Sequence, residues 1–305
     1  MKCLECNEDF ENERGLHIHL KKHKMFQGEY YAKHFPRNSL LYGRQIPFFN
    51  RKDYFEREFV DSNEMNLWFR QVDQESAKEK IRKILKTRVY EKGLIYGLSH
   101  IELKSLELPS IKVIKTLFGG YSLFCKELGL KGCLFEKPLP KDLEVPPLDA
   151  CIIVDTREQD PLPFKNTRVE KLLIGDYLLD SKSGYTYTFV DRKSENDFIG
   201  TLNTANLERF EREIQKAAEL DSYLYVVVEG TIESTKETCK RFKRMVNYYY
   251  AMKNMRELMH KYPRRVQFIF AGDRKKSQQI IPKLLWNGRK LWNVDVQYFL
   301  DNKTF

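Results

Sequence analysis

Residues 173–197 read LIGDYLLDSKSGYTYTFVDRKSEND, and this stretch decides the fold of the second half of the chain. A short run of turn formers separates two runs rich in aliphatic, aromatic and β-branched residues, a pattern that predicts an antiparallel hairpin. If Ser183 and Gly184 are the two central turn residues, the register places Asp176 directly opposite Asp191. The hairpin therefore predicts two carboxylates on one face of a sheet.

The opposed carboxylates predict a metal site. Directly opposed residues lie about 5 Å apart at Cβ, where two like charges are destabilising unless something positive lies between them. Side chains alternate between faces, so Lys193 shares the face of Asp191 whereas Arg192 points away. Two acids that hold a divalent cation, with a lysine that orients water or stabilises phosphate charge, are the components of a metal-dependent phosphodiesterase. A surface hairpin with solvated charges is the alternative, but the opposed acid, the register and the strand pattern favour the metal site.

Three short motifs in this half of the chain carry a resemblance to a known family. They are VDTRE at residues 154–158, GDY at residues 175–177, and DRK at residues 191–193 with Asp197 four residues further on. Together they resemble the XPF-type nucleases, whose signature is V-D-x-R-E, then G-D-Y, then E-R-K-x-x-x-D. Asp191 stands where that family usually has glutamate, and its carboxylate reaches about 1.5 Å less far. Related metal nucleases use either acid, so we interpret the change as a tuned site.

The resemblance implies a divalent cation, Mg²⁺ or Mn²⁺, held by Asp176 and Asp191 with Asp155 nearby and assisted by Lys193. It also implies products with a 3′ hydroxyl and a 5′ phosphate. The catalytic residues that it implies are Asp155, Glu158, Asp176, Asp191, Arg192, Lys193 and Asp197.

Several of these residues could instead have a purely structural role. Asp155 and Glu158 follow the first predicted strand, where they could cap a helix and pair with Arg157. Asp197 lies at the start of the helix after the hairpin, so it could simply cap that helix. Arg192 points to the opposite face from Asp191, and we expect it to brace the motif electrostatically.

The first 25 residues have the ligand spacing of a zinc finger. The pattern C-x2-C-x12-H-x3-H consists of Cys3, Cys6, His19 and His23. Phe10 and Leu16 occupy the positions of the small core of such a finger, and residues 14–24 read as its helix. A fold this small buries too little apolar surface to be stable without tetrahedral ligation of the ion. The sequence therefore predicts a ββα zinc finger with a structural Zn²⁺ at residues 1–25.

Residues 26–73 form a connecting segment in which aromatic residues are interleaved with lysine and arginine. These aromatic side chains could stack on bases along a groove. They could equally form small cores that pack back on the finger, which we favour because aromatic residues supply the most burial per residue.

Residues 74–132 have helical patterning, with Gly119 and Gly120 predicted to separate two helices. This range resembles the helical DNA-binding repeat associated with homing endonucleases; a generic helical bundle is the alternative. The next range, 133–148, carries four prolines. It has no hydrophobic period, which predicts a semi-rigid linker.

Residues 149–305 alternate between strand and helix patterns, which predicts an α/β layered domain. Strands are expected at residues 151–154, in the hairpin, and at residues 223–228 and 265–271. The resemblance implies a restriction-endonuclease-like nuclease domain with a mixed sheet. The expected fold class is thus multidomain: a zinc finger, a small α-helical domain and an α/β nuclease domain.

Charge and composition narrow the class of protein. The chain has 53 Lys and Arg against 43 Asp and Glu, a net charge of +10 that favours a polyanionic partner. Charge alone would fit RNA or an anionic membrane nearly as well as DNA. There is no run of 18 apolar residues and no secretion signal, so we expect a cytoplasmic, DNA-associated protein with no membrane partner. The six cysteines indicate metal binding or burial rather than disulfides.

These patterns together predict a Mg²⁺-dependent endonuclease that cuts double-stranded DNA at specific sites, like the homing endonucleases of mobile, phage-type elements. A first alternative is a structure-specific nuclease for flaps or branched DNA, although no tandem helix-hairpin-helix pattern follows the nuclease motifs. A second alternative is a DNA-binding protein with a degenerate nuclease fold, which only the shortened Asp191 supports. A homodimer through the nuclease domain is left open.

Overall fold

The structure is a computed structural model, and it separates the chain into two compact units. The N-terminal unit comprises residues 1–88 and 106–113, and the C-terminal unit comprises residues 89–105 and 114–305. The helical range predicted at residues 74–132 is therefore divided between the two units. The residues that the structure describes are 1–48, 54, 56–131, 134, 138–147, 149–180, 182, 185–241 and 248–305.

Short helices with side-chain caps build the N-terminal unit. Asn12 accepts a hydrogen bond from the N–H of Gly15, and Asp61 accepts one from the N–H of Glu64. Each cap satisfies a backbone donor that the first helical turn leaves free, which sets where the helix begins. The helices that begin in this unit are α1 (Glu13–His19, continued by a 3₁₀ turn at Leu20–His23), α2 (Gln27–His34), α3 (Ser62–Gln71) and the longer α4 (Gln74–Lys92), whose residues 89–92 belong to the C-terminal unit.

The range predicted as a zinc finger folds around a small core that α2 completes. The buried side chains of this core are Cys3, Leu16, Leu20, Tyr30, Tyr31 and Phe48. Tyr30 and Tyr31 belong to the aromatic connecting segment, so these two residues pack on the finger range, as we favoured. The ββα arrangement is not confirmed, because the described backbone before α1 pairs only through an isolated antiparallel bridge between Lys2 and Asp9.

Three short helices precede the sheet. They are α5 (His100–Ser105), α6 (Ile111–Phe118) and α7 (Tyr121–Glu127). Gly119 has φ +72°, a left-handed conformation that ends α6, and Gly120 caps the start of α7. The predicted break between two helices is therefore confirmed. None of the helices in the described ranges is both long and apolar enough to cross a bilayer.

A six-stranded mixed sheet forms the centre of the C-terminal unit, in the order β2-β1-β3-β4-β5-β6. Its strands are β1 (Ile152–Asp155), β2 (Thr167–Glu170), β3 (Tyr177–Leu179), β4 (Thr188–Lys193), β5 (Tyr223–Val228) and β6 (Val266–Phe270). β1 and β3 pair antiparallel, as do β3 and β4, whereas the other neighbours pair in parallel. This confirms the predicted mixed sheet. β2 was not predicted, because all four of its side chains are exposed and leave no alternating pattern.

The register of the hairpin agrees with the sequence prediction. Tyr177 pairs with Val190, and Leu178 pairs with Phe189. The same register brings Asp176 next to Asp191, and the Asp176 N–H donates to the Val190 carbonyl at 2.8 Å. The predicted turn at residues 183 and 184 lies outside the described residues.

Helices cover both faces of the sheet. On the face that bears Phe189, the first face, the core is closed by α8 (Glu195–Thr201), α9 (Thr204–Glu219), α10 (Ile232–Arg241) and α11 (Tyr248–Lys261). On the face that bears Val190, the second face, it is closed by α12 (Arg274–Asn287), a 3₁₀ turn at Gly288–Lys290 and α13 (Val296–Asp301). Burial on both faces explains why β5 is a continuous apolar run.

Part of the range predicted as a proline-rich linker packs on the C-terminal unit. Leu139 and Leu143 contact the core of the second face. Glu144 accepts hydrogen bonds from the Trp286 indole at 3.0 Å and from the Lys290 ammonium at 2.9 Å. These contacts tie this part of the range to α12 and to the 3₁₀ turn that follows it.

Candidate active site

Asp176 and Asp191 meet where the start of β3 lies beside β4. An Asp176 carboxylate oxygen accepts the N–H of Arg192 at 2.7 Å, which ties it to β4. Gly175, with φ +62°, makes this approach possible, since a Cβ there would lie 2.7 Å from the Val190 carbonyl oxygen. A glycine before the aspartate is therefore a steric requirement of the site.

The two carboxylates share a poorly solvated environment. Burial raises the pKa of Asp176 well above its usual range, and the charge of Asp191 raises it further. Asp191 is only 4% exposed. Its Oδ2 is buried and accepts no well-aligned hydrogen bond from the described residues, although the Lys193 ammonium lies 2.9 Å away. A buried carboxylate oxygen without a full partner, beside a second acid, is the donor set that a divalent cation would complete.

Lys193 is held from two sides. Its ammonium donates to the Asp191 carboxylate at 3.1 Å and lies over the ring of Phe210 on α9, 5.0 Å from the centroid. Burial alone would lower the pKa of Lys193, but the Asp191 charge outweighs that effect and the pKa is raised. Lys193 therefore remains a cation beside the acids, suited to stabilising charge on a phosphate.

Both carboxylate oxygens of Asp155 accept hydrogen bonds from the segment between β1 and β3. One carboxylate oxygen accepts the Arg157 N–H at 2.8 Å and its guanidinium at 2.6 Å, and the other accepts the N–H of Leu172 at 2.5 Å. Burial would raise the pKa of Asp155, but these hydrogen bonds outweigh it and lower the pKa. The structure thus places Asp155 in the local ion pair that the sequence left open as an alternative to metal binding.

Glu158 and Arg192 meet on the second face of the sheet. The Arg192 guanidinium lies 2.9 Å from Glu158 and 3.1 Å from Glu229 at the end of β5. Arg274 of α12 reaches the same Glu229 oxygen at 3.5 Å. The four charges join β4, β5, α12 and the loop after β1, an arrangement that fits the bracing role expected of Arg192.

Asp197 lies at the N-terminus of α8 and is exposed. Its carboxylate accepts the Ser194 hydroxyl at 2.6 Å, and its N–H donates to the same hydroxyl at 3.1 Å. The N-cap of α8 is therefore Ser194, and Asp197, at the third helical position, hydrogen-bonds to the capping hydroxyl instead of serving as the cap itself.

Glu213 of α9 was missed by the sequence analysis. Burial raises the pKa of this half-buried residue, and the negative charge of Asp191 raises it further, against the opposing charges of Lys193 and Arg157. The residue therefore lies within electrostatic reach of the predicted site. The sequence does show that Glu213 is three residues after Phe210 and therefore lies on the same side of the helix. It does not show that this side of the helix meets β4.

The predicted zinc ligands converge in the N-terminal unit. Cys6 Sγ lies 3.1 Å from His19 Nε2, Cys3 Sγ lies 3.6 Å from His23 Nε2, and the two Nε2 atoms are 2.9 Å apart. Two nitrogens that bind one zinc at about 2.1 Å are separated by about 3.4 Å, so the cluster has the right size for the ion. Within the described residues, it is the one group of three or more such ligands whose atoms all lie within 4.8 Å of one another.

The family comparison bears directly on the sheet and its acids. Residues 154–284 match the ERCC4 domain. This range includes every predicted catalytic residue, from Asp155 to Asp197. The ERCC4 match supports the predicted XPF-type nuclease domain and, with it, a DNA nuclease.

Two solved structures match the chain in part. One is XPF from Aeropyrum pernix, with 23% identity over 44% of this chain and a TM-score of 0.33. The other is XPF from Aeropyrum pernix in complex with DNA, with 19% identity over 45% of this chain and a TM-score of 0.34. The match covers 64% of each of those chains. The comparison with curated proteins gives no match.

Proposed function

We propose that this chain is a divalent-metal-dependent DNA endonuclease with Asp176, Asp191 and Lys193 at its catalytic centre. The ERCC4 domain match supports a DNA nuclease. The observation that carries the metal dependence is the pairing of Asp176 with Asp191, which is 4% exposed and has the single charge of the Lys193 ammonium 2.9 Å from its Oδ2. Two carboxylates this close cost free energy unless a cation lies between them.

The residues divide the chemistry among them. Asp176 and Asp191 would hold Mg²⁺ or Mn²⁺, which when bound polarises the phosphate and lowers the pKa of water. The Lys193 ammonium, fixed by Asp191 and Phe210, is positioned to stabilise the charge that develops on the phosphate oxygens. Gly175 allows β3 to approach β4 closely enough for the acids to meet.

The preferred substrate is double-stranded DNA that carries a specific sequence. Contacts to phosphate orient a protein on DNA but read no sequence, so a nuclease that grips the backbone needs base contacts from elsewhere. The Cys/His cluster of the N-terminal unit, with zinc bound, supports a base-reading role for that unit. One finger reads about three base pairs, so the helical residues that follow would add to the recognition.

The test is to incubate full-length protein with a randomised duplex library and Mg²⁺, and then to sequence the new ends. We expect cuts that share a consensus, no cuts in EDTA, and loss of the consensus in Cys6→Ala with cutting retained. A matched set of flap and branched substrates tests the alternative that the protein is a structure-specific nuclease. If cuts occur at the branch point in every sequence tested, the proposal of a site-specific nuclease is ruled out. No cutting with either Mg²⁺ or Mn²⁺ would refute the nuclease proposal.

A further inference from the structure

Arg157 lies at one end of a row of three aspartates on the first face of the sheet. The Asp155 N–H donates to the Asp176 carbonyl at 2.8 Å, and the antiparallel register of β1 and β3 places these two residues opposite each other. Asp176 lies opposite Asp191 in the same way. Neighbouring strands are about 4.8 Å apart, so the row spans about 10 Å. Arg157 follows Asp155 by two residues, as Lys193 follows Asp191, and the row therefore has a cation at each end.

The buried carboxylate of Asp155 fixes the Arg157 side chain. One carboxylate oxygen accepts both the N–H and the Nε–H of Arg157, the latter at 2.6 Å. The guanidinium also donates through Nη2 to the Leu172 carbonyl at 3.3 Å, and the Leu172 N–H donates to the second Asp155 oxygen. Because the guanidinium is planar, these two anchors set the direction of its free edge.

The outer edge of this guanidinium is open. The Arg157 side chain is 57% exposed, and its remaining N–H groups donate to none of the residues that the structure describes. The next acid along the chain, Glu158, pairs with Arg192 on the other face of the sheet and does not neutralise it. A fixed guanidinium with open donors binds the oxygens of a phosphate as a fork.

The geometry of Asp155 suits this anchoring role better than metal binding. Both of its oxygens accept N–H groups, and the carboxylate would have to give up those hydrogen bonds to bind a cation. Over the described part of the chain, Asp155, Asp176 and Asp191 do not form a group whose ligand atoms all lie within 4.8 Å of one another. Asp155 is therefore engaged with a cation of the protein itself, the Arg157 guanidinium.

We propose that Arg157 binds a backbone phosphate of the DNA next to the one that is cut, and that Asp155 is the positioning residue that holds its guanidinium. The inference rests on the proposed nuclease function, because it assigns a substrate contact to the same site. A row of carboxylates repels DNA, and a cation at each end offsets that repulsion. Lys193 lies against Asp191 at one end, and the row of about 10 Å is too long for one phosphate to contact both cations.

The experiment measures the affinity of full-length, zinc-loaded protein for a labelled DNA duplex by fluorescence anisotropy, in EDTA and at a series of salt concentrations. No strand is then cut, and the logarithm of the affinity falls against the logarithm of the salt concentration by about 0.9 per phosphate contact. Arg157→Gln should weaken binding about tenfold, as expected for one hydrogen-bonded contact to a charged group. The same variant should reduce the salt slope by about 0.9.

Arg289→Gln is the matched control. Arg289 has the same 57% exposure as Arg157 and also pairs with an aspartate, Asp221, but that pair lies before β5, at the opposite end of the sheet from the acids. The control removes the same charge and should keep the parent's affinity and slope. An equal loss in both variants would reduce the effect to net charge and overturn the inference.

Asp155→Asn separates the positioning role from simple charge. Removing a negative charge beside DNA should by itself tighten binding, whereas releasing the Arg157 guanidinium should weaken it. We expect weaker binding in EDTA, where a role in metal binding has no effect. Tighter binding by Asp155→Asn would overturn the positioning role.

The outcomes distinguish failure of this inference from failure of the nuclease proposal. If Arg157→Gln keeps the parent's slope while the parent cuts DNA with Mg²⁺, Arg157 is not a phosphate contact although the nuclease stands. If the parent cuts with neither Mg²⁺ nor Mn²⁺, the nuclease proposal fails whatever the slope of Arg157→Gln. Should Arg157→Gln not fold, Arg157→Lys decides, because an ammonium lacks the fork: weaker binding with the parent's circular dichroism supports the inference, and parent-like binding overturns it.

Discussion

The two candidate metal sites of this chain differ in how far along the sequence their ligands lie. The Cys/His cluster collects its ligands within residues 3–23, around a core of few side chains. The acidic site collects Asp176 and Asp191 across a hairpin, against a sheet that is packed on both faces. With a zinc ion bound, the first site would stabilise a small fold, whereas at the second site a fold that is already packed would position the ligands of a cation.

Zinc removal should have the largest effect and should be confined to the N-terminal unit. Structural zinc sites in finger peptides supply about 10–16 kcal/mol of apparent binding free energy at pH 7, which such small folds need to be stable. Cys6→Ala should therefore lose bound zinc and the helical circular dichroism of the first 25 residues. Elemental analysis should find one zinc per chain in the parent; less than half an equivalent, or full zinc in Cys6→Ala, would contradict the zinc site.

Substitutions at the acidic site should affect the rate but not the fold. Asp176→Asn, Asp191→Asn and Lys193→Ala should each lower the cleavage rate by about 10³-fold, equivalent to about 4 kcal/mol, because they remove interactions with the ion and the reacting phosphate. DNA affinity, measured by fluorescence anisotropy, should stay near the parent value. Asp191→Glu should remain active. An Asp191→Asn variant that cuts at the parent rate would show that the hairpin is not the active site.

Asp155→Asn should act on stability, which distinguishes it from the ligands of the acidic site. Asp155 is 1% exposed, and its hydrogen bonds hold the loop after β1. Losing the charge weakens all of them, which should cost about 2 kcal/mol. Thermal unfolding of this variant should be compared with that of Asp149→Asn, whose side chain is exposed. Equal melting temperatures of the two variants would mean that Asp155 does not stabilise the loop after β1.

The smallest expected effect is a gain in stability at Asp176, in contrast to the loss expected for Asp155→Asn. Burial raises the folded-state pKa of Asp176 above its unfolded value of about 3.9, so the folded protein binds this proton more tightly. The stability from this group is therefore complete below about pH 4 and is lost as the pH rises through the raised pKa. In EDTA, Asp176→Asn should melt at a higher temperature than the parent at pH 8 but not at pH 4. A lower melting temperature for the variant at pH 8 would show that Asp176 stabilises the metal-free fold.

The local features of both sites follow from the sequence. The Cys/His spacing lies within one short segment, and the pairing of Tyr177 with Val190 follows from the side-chain alternation and the turn formers of one hairpin. Such contacts join residues close in sequence, so periodicity and spacing determine them. The helix break at Gly119 is predictable for the same reason, because its left-handed φ is a property of one residue.

The tertiary structure alone decided the partners that lie far apart in the chain. Asp155 follows a strand in the sequence, yet only the folded loop shows that both of its oxygens are filled. The Lys193 ammonium lies over the ring of Phe210, a residue of a later helix, and the exposed strand β2 joins the edge of the sheet with no alternating pattern of its own. A sequence specifies which faces are apolar, but the packing of those faces determines which polar groups end up side by side.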